Sequence, residues 1–328
     1  MVQSRGGSAR LAYVEETSFG VTPSGSQMRL LPFHEEELEV GHHPFFGVGD
    51  GPERVLTRAG QGYIDAGGRV GLELELDSLG TLLKHTLGTS TTTGAQPPFT
   101  HVIKGSSLLP QGLSIEKAFT DVGHFLLFKG CRIDRLSIGF TIKESPARDS
   151  VINPPKAELE VVAKGVEART TSAASTIVEG QASRALSYHL TIEEGGLVLN
   201  DLLGAQLNIE NHLQRDGFVL NSRERYSVRE GLRQVSGSLV IGFENLNHYG
   251  KLINNTTSSL KIKVLQAPAG GIASLELYLP RVVFAGKAPI PVVKEAGPLG
   301  ALLPFIALKD PLEGTDIKVT LINNLSSI

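Results

Sequence analysis

The side chains in this sequence whose types could do chemistry are nine histidines, one cysteine and several runs of carboxylates and arginines. A metal centre needs histidine, cysteine or carboxylate ligands at helix or turn spacing. His34, His42, His43, His85, His101, His124, His189, His212 and His248 form no such pattern. His42 and His43 are neighbours, and adjacent strand residues point to opposite faces, so they do not share an ion. Cys131 stands alone, which excludes an intrachain disulfide and a cysteine-based zinc site; between Gly130 and Arg132 in a strand-like run it reads as a small buried residue. No P-loop is present, and the glycines of 47–51 follow Phe45-Phe46 without opening a helix. No G-x-S-x-G elbow exists, and Asp121, His124 and a nearby serine have no triad spacing to support them. The sequence therefore assigns no catalytic residue, no metal ligand and no cofactor, and the expectation is a protein that is not an enzyme.

The charged runs read differently. Glu35, Glu36, Glu37 and Glu39 alternate around Leu38 and Val40, as on a solvated strand edge or a polar channel face. Arg215, Arg223, Arg225, Arg229 and Arg233 are interleaved with Asp216, Glu224 and Glu230, which suits a salt-bridging surface better than a phosphate patch. There is no tryptophan, and aromatic residues make up 6%, so a sugar- or base-stacking platform is poorly supplied. The net charge of −3 disfavours electrostatic nucleic-acid binding, although a channel that lets DNA slide past would also lack a basic groove.

The elements that must carry these residues follow from composition and pattern. The 328 residues set a prior of about two domains. With 41% hydrophobic and 20% charged residues the chain is a folded one, and 37 glycines with 17 prolines suit short strands joined by turns. No apolar run reaches the ~20 residues that span a bilayer. Residues 1–8 are polar, without the apolar centre of a signal peptide, so retention in a cytoplasm, away from membranes, is expected.

The chain also repeats itself. The pattern E-R-x-x-x-R-x-G occurs at 53–60 and at 224–231. A strand follows each copy: Val70, Leu72 and Leu74 match Leu239, Ile241 and Phe243 at a displacement of 169, with Glu75 opposite Glu244. A short helix comes next in both, Leu79–Lys84 capped by Asp77 or Ser78 and ended by Gly88, and His248–Ile253 capped by Asn245 or Asn247 and ended by Asn254. Further strands are predicted over 126–140, 157–163, 275–284 and 317–322. The fold expected is mostly β: two tandem β-sandwich or barrel modules, each with a flanking short helix. Residues 1–29 are an N-terminal arm that orders on assembly, 30–169 the first module, 170–180 a small, polar linker and 181–328 the second module. Thr89–Gly94 is an exposed loop.

The opening Tyr13-Val14-Glu15-Glu16-Thr17-Ser18-Phe19-Gly20-Val21-Thr22-Pro23 resembles the start of major tail tube proteins of long, flexible-tailed bacteriophages, Y-x-x-E-T-x-[FY]-G-x-x-P. Gly67–Leu74 leading to Leu79-Gly80-Thr81-Leu82-Leu83, and the closing Asp316–Asn323, are similar to that family's strand-to-helix junction and last strand. The resemblance implies a structural virion protein of the tail, assembled in the host cytoplasm, whose subunits form stacked rings around a conduit for genome ejection. The implied partners are further copies of itself, a tape measure protein inside the tube, tail terminator and tail-tip proteins, and DNA only in transit. Six barrel units per ring and two units per chain make a pseudo-hexameric ring of three chains. Glu73, Glu75, Asp77, Glu244 and Glu276 are the candidates for an acidic channel lining that repels DNA phosphates. Arg54, Arg58, Arg225 and Arg229, with Phe45 and Phe46 as apolar anchors, are the candidates for contact with the next ring. The alternatives are another tail or head-joining virion protein, and a cell-surface or carbohydrate-binding β-protein.

Overall fold

The structure, a computed structural model, describes residues 4–48, 54–141, 155–180, 189–243, 246–266, 273–287 and 300–328. These contain twenty strands and two α-helices. In the first half they run β1 (Ala9–Glu15), β2 (Gln27–Leu30), β3 (Glu35–Glu36), β4 (Glu39–Val48), β5 (Leu56–Glu73), α1 (Leu76–Leu87), β6 (Gly88–Thr93), β7 (Phe99–Gly105), β8 (Leu113–Phe119), β9 (His124–Thr141), β10 (Lys156–Ala163), β11 (Gly165–Arg169) and β12 (Thr176–Val178). In the second half they run β13 (Leu190–Glu194), β14 (Leu197–Val198), β15 (Leu202–Glu210), β16 (Gln234–Gly242), α2 (Asn247–Ile253), β17 (Thr257–Gln266), β18 (Ala273–Phe284), β19 (Gly300–Ala307) and β20 (Lys318–Asn323).

The strands alternate because their sequences do. Val70 and Leu72 of β5, Ala157, Leu159 and Val161 of β10, and Leu275, Leu277 and Leu279 of β18 are all buried and alternate with outward-facing neighbours, except that Val162 is buried in a separate cluster with Leu213 and Val228. Each fully buried leucine contributes about 1.5–3 kcal/mol. These side chains join one hydrophobic core that draws on both halves. Helix α1 is buried nearly all round and lies so close to β20 and the C-terminus that a Cβ on Gly80 would meet Leu321 and Ile328 at 2.7 and 2.8 Å. Gly88 ends it at φ 123, donating its N–H to the Lys84 carbonyl, as its glycine predicts.

The ladders form two runs that share β9. One is β12–β2–β1–β8–β9–β11, antiparallel except for β2–β12. The other is β4–β5–β10–β9–β15–β16–β19–β18, with β3 continuing β4 along β5. β9 serves both because it is 18 residues long: it pairs with β8 up to Cys131, then with β10 and β15 beyond Arg132. β18 divides in the same manner, pairing with β20 along its first part and with β19 over Val282–Phe284. The sheet does not close on itself.

The two halves repeat one wiring. The pairings β1–β2, β1–β8, β4–β5, β5–β10, β8–β9, β9–β10 and β9–β11 recur as β13–β14, β13–β17, β15–β16, β16–β19, β17–β18, β18–β19 and β18–β20. Register agrees as well. Val70 faces Leu159 and Leu239 faces Leu303; Gly68 faces Val161 and Gly237 faces Phe305. The displacement of 169 read from the sequence therefore falls on equal ladder positions. It also explains a shared glycine: a Cβ on Gly68 would lie 2.0 Å from the Glu37 carbonyl, and one on Gly237 would lie 2.1 Å from that of Gln206, 169 residues later.

Four expectations need correction. Helix α1 starts at Leu76 rather than Leu79, because β5 ends at Glu73 and the buried Leu74 and Leu76 turn the chain into the core. Thr89–Gly94 is not a loop: Gly88–Thr93 is a strand along β7, β-branched threonine being suited to it. Residues before Leu30 are not a free arm. β1 pairs with β8 over seven positions, and Leu11, Ala12, Tyr13 and Met28 are buried. Within 170–180, β12 pairs with β2, and Glu116 accepts hydrogen bonds from Ser172 Oγ (2.8 Å) and the Ala173 N–H (2.5 Å).

Candidate functional site

The outward face of β4–β5–β10–β9–β15 carries the polar half of each alternation, whereas β19 turns Leu302, Pro304 and Ile306 outward. Glu35, Glu37, Glu39, Glu73, Glu158, Glu160 and Glu210 lie on it, against Arg69, Arg135 and Lys156 and, from the loop between β15 and β16, Arg215. Two depressions lie on this face. One of about 290 Å³ is lined by His34, Glu35, Glu37, Ser137, Glu158 and Gln206 among others. The other, about 740 Å³, extends past Glu39, Gly67, Glu160 and Arg215. Arg215 bridges Asp134 (2.7 Å) and Glu160 (2.5 Å); burial opposes its charge, but the two carboxylates hold its guanidinium above the ordinary range. Arg135 forms an ion pair with Glu210 at 3.0 Å. The remaining carboxylates leave the face net acidic.

The five channel candidates separate on inspection. Glu73 ends β5 on this face, half-buried and opposite Lys156. Glu75 and Asp77 do not share it. Both are buried, since alternation stops where β5 gives way to α1, and both line a cavity of about 320 Å³ with Tyr13, Arg29 and Glu179. Glu276 lies on β18 opposite Lys263 and 4.0 Å from Lys261, between cations. Glu244 lies outside the described residues. Sequence reasoning passed over Glu158, Glu160 and Glu210; the alternation Lys156-Ala157-Glu158-Leu159-Glu160 was the signal that could have found the first two.

The contact candidates separate too. The far end of the β4–β5 ribbon exposes Phe45 (69%), Phe46 (55%), Val48, Val55 and Leu56, with Arg54 and Arg58 exposed beside them. Arg229 is exposed on the loop between β15 and β16. Arg225, from that same loop, is not a surface cation. It is 1% exposed; its Nε donates to the Arg215 carbonyl (2.7 Å), one amino group to the Ala163 carbonyl (2.9 Å) and the other to Asp65. Its loop folds back on the base of the β4–β5 ribbon, where Arg223 donates to the Gly62 carbonyl and Phe218 packs on Tyr63 at 4.5 Å, so the chain itself consumes the guanidinium.

The opening motif has a structural task. Glu16 is buried and accepts from Ser114 Oγ (2.7 Å), the Gly130 N–H (2.8 Å) and the Gly20 N–H (2.6 Å). Gly20 has φ 75, and a Cβ there would strike Lys164. Phe19 lies under Arg132 and Lys164 at 5.4 and 5.8 Å. The motif thus locks β1 to β8 and to the point where β9 changes ladders. Among the described residues no histidine, cysteine or carboxylate cluster could hold a metal. Burial raises the Cys131 thiol well above its ordinary value, and Asp121 is engaged by Ser4 Oγ and the Arg5 N–H.

A family model described as phage tail tube protein matches residues 6–307, from β1 to the end of β19. The chain belongs to the phage tail tube family. It is a structural component of the virion tail that self-associates into a tube, and membership in a structural family points away from enzyme activity. The match spans both halves of the chain. No curated relative matches the chain.

Proposed function

We propose that this tail tube protein builds rings of three chains, each chain supplying two equivalent modules, and that the rings stack into the conduit for genome ejection. One observation carries the reading: a single sheet contains β4–β5–β10–β9 followed by the equivalent β15–β16–β19–β18 in the same order. Four strands per module and six modules give a barrel of about 24 strands. With strands ~4.8 Å apart and tilted by about 40°, its backbone diameter is roughly 48 Å. Inward side chains reduce that to a bore of about 35–40 Å, wide enough for a DNA duplex. The module boundaries near 170–180 stand in this reading, with β1 and β2 assigned to the first module.

The acidic outward face, with Glu35, Glu37, Glu39, Glu73, Glu158 and Glu210, lines the bore and keeps phosphates from adhering. A tape measure protein fills the bore before DNA passes, and terminator and tip proteins close its ends. Assembly takes place in the host cytoplasm. The β4–β5 ribbon reaches the next ring through Phe45, Phe46, Arg54 and Arg58, since a two-stranded ribbon exposing this much apolar surface needs a partner, and Arg229 takes part from the neighbouring loop. Negative-stain imaging of the purified protein tests the reading. Hollow tubes with six lobes in end-on view support it, and replacing Phe45 and Phe46 by serine leaves folded subunits that do not stack. Particles that never polymerise would overturn it.

A further inference from the structure

Among the described residues, the β3–β4 edge is one place where the repeated wiring is unmatched. β15 is covered on the side away from β16 by β9, with Glu210 opposite Arg135, Ile209 opposite Leu136 and Asn208 opposite Ser137. At a displacement of 169 the equivalents of Glu210, Ile209 and Asn208 are Gly41, Val40 and Glu39. Among the described residues β3 and β4 pair with β5 alone, so this edge has no strand beside it. Side-chain exposure agrees: Val40 is 44% exposed, whereas Ile209 is fully buried. At Leu38 the outward backbone groups are held by side chains instead, the N–H by Glu36 and the carbonyl by Lys117.

The missing cover can be identified. β8 accompanies β9 up to Cys131, after which β15 takes over; β17 accompanies β18 up to Val283, and no strand follows it on that side among the described residues. The chain continues the β19 ladder at Ala285, whose N–H donates to the Pro304 carbonyl (3.0 Å). Ladder position makes Ala285, Gly286 and Lys287 the equivalents of Arg135, Leu136 and Ser137. We infer that the β3–β4 edge receives a second copy of this chain, through the strand end that follows β18, with Gly41, Val40 and Glu39 opposite Ala285, Gly286 and Lys287. The inference rests on the tube reading and names its ring contact. Both ends carry complementary charge, exposed Glu39 facing exposed Lys287. Gly286, at φ 104, must straighten on pairing, and glycine populates both conformations readily.

The Glu37 N–H donates to β5, so Glu39, two residues on, also turns its backbone groups to β5. Glu39 and Lys287 would then form a non-hydrogen-bonded antiparallel pair with Cα atoms about 4.5 Å apart, within disulfide range. The test is the variant Glu39→Cys/Lys287→Cys, with Ser137→Cys/Asn208→Cys as the internal counterpart; buried Cys131 does not compete. Under mild oxidation of assembled protein, the first pair is expected to link chains into dimers and a closed three-chain species on non-reducing gels, and the second to form its bond within one chain. Wild-type tubes, with a formed internal bond and no interchain bond, would overturn the contact and leave the tube reading intact. Wild type that forms no tubes would overturn both. Should the cysteine pair impair assembly, charge exchange decides: Glu39→Lys abolishes tubes, and adding Lys287→Glu restores them. Failure of that restoration overturns the contact.

Discussion

β15 and the β3–β4 edge hold matching ladder positions 169 residues apart, in two different situations. In one a neighbour within the chain covers the outer edge, Ile209 is buried and the backbone finds partners in β9. In the other the edge is open, Val40 is half exposed, and four glutamates crowd the strand. Charged side chains on an edge are how a soluble subunit avoids indiscriminate pairing before assembly. On the ring contact inferred above, self-association extends an interface the chain already contains. The ribbon and the loop that occupy matching places after these strands diverge likewise: Arg54 stays at the surface and Arg225, at the same motif position, is absorbed.

The largest expected effect is one the two halves share. Gly68→Val and Gly237→Val each drive a side chain into a carbonyl, and each is expected to cost more than about 4 kcal/mol or to yield no folded protein, as denaturant titration of soluble subunits would show. A large loss at one glycine and none at the other would break the equivalence. Ile209→Ala is expected to lower subunit stability by about 3 kcal/mol. Val40→Ala should change it by less than about 0.5 kcal/mol while weakening assembly, measured by sedimentation. Next, Arg225→Ala leaves the Ala163 and Arg215 carbonyls without their donor and is expected to cost about 2 kcal/mol. The charge reversal Arg58→Glu/Arg229→Glu should leave the melting curve unchanged and stop tube growth.

The pattern of side chains revealed the strands, the helices and the displacement of 169, because alternation and capping are local. Tertiary events were hidden from it. Nothing in Leu74-Glu75-Leu76 says that the strand stops at Glu73, so Glu75 and Asp77 stay in an outward phase until α1 is seen to draw them in. Arg225 and Arg54 share one motif position, and only the loop that folds onto Gly62 and Tyr63 distinguishes them. The polar tract at 89–93 reads as a loop until β7 lies beside it.

A further effect concerns pH. Burial pushes the Glu15 carboxyl up, but hydrogen bonds from His85 and Lys84, both at 2.7 Å, outweigh it and hold it at about 2. A depressed carboxylate stabilises fully above its ordinary 4.5 and loses that contribution as pH falls through about 2. Glu15 is 42% exposed, so solvent screening keeps the loss near 1 kcal/mol. Melting temperature should fall across that window, and Glu15→Gln should flatten the fall. An unchanged slope would remove the ion pair from the account.

The decisive measurement is an end-on reconstruction of assembled tubes by cryo-electron microscopy at a resolution that separates chains. The account predicts six similar lobes traced by three polypeptides, with alternate lobe boundaries crossed by covalent chain. Six polypeptides around each ring, or three whose halves cannot be superimposed, would contradict it.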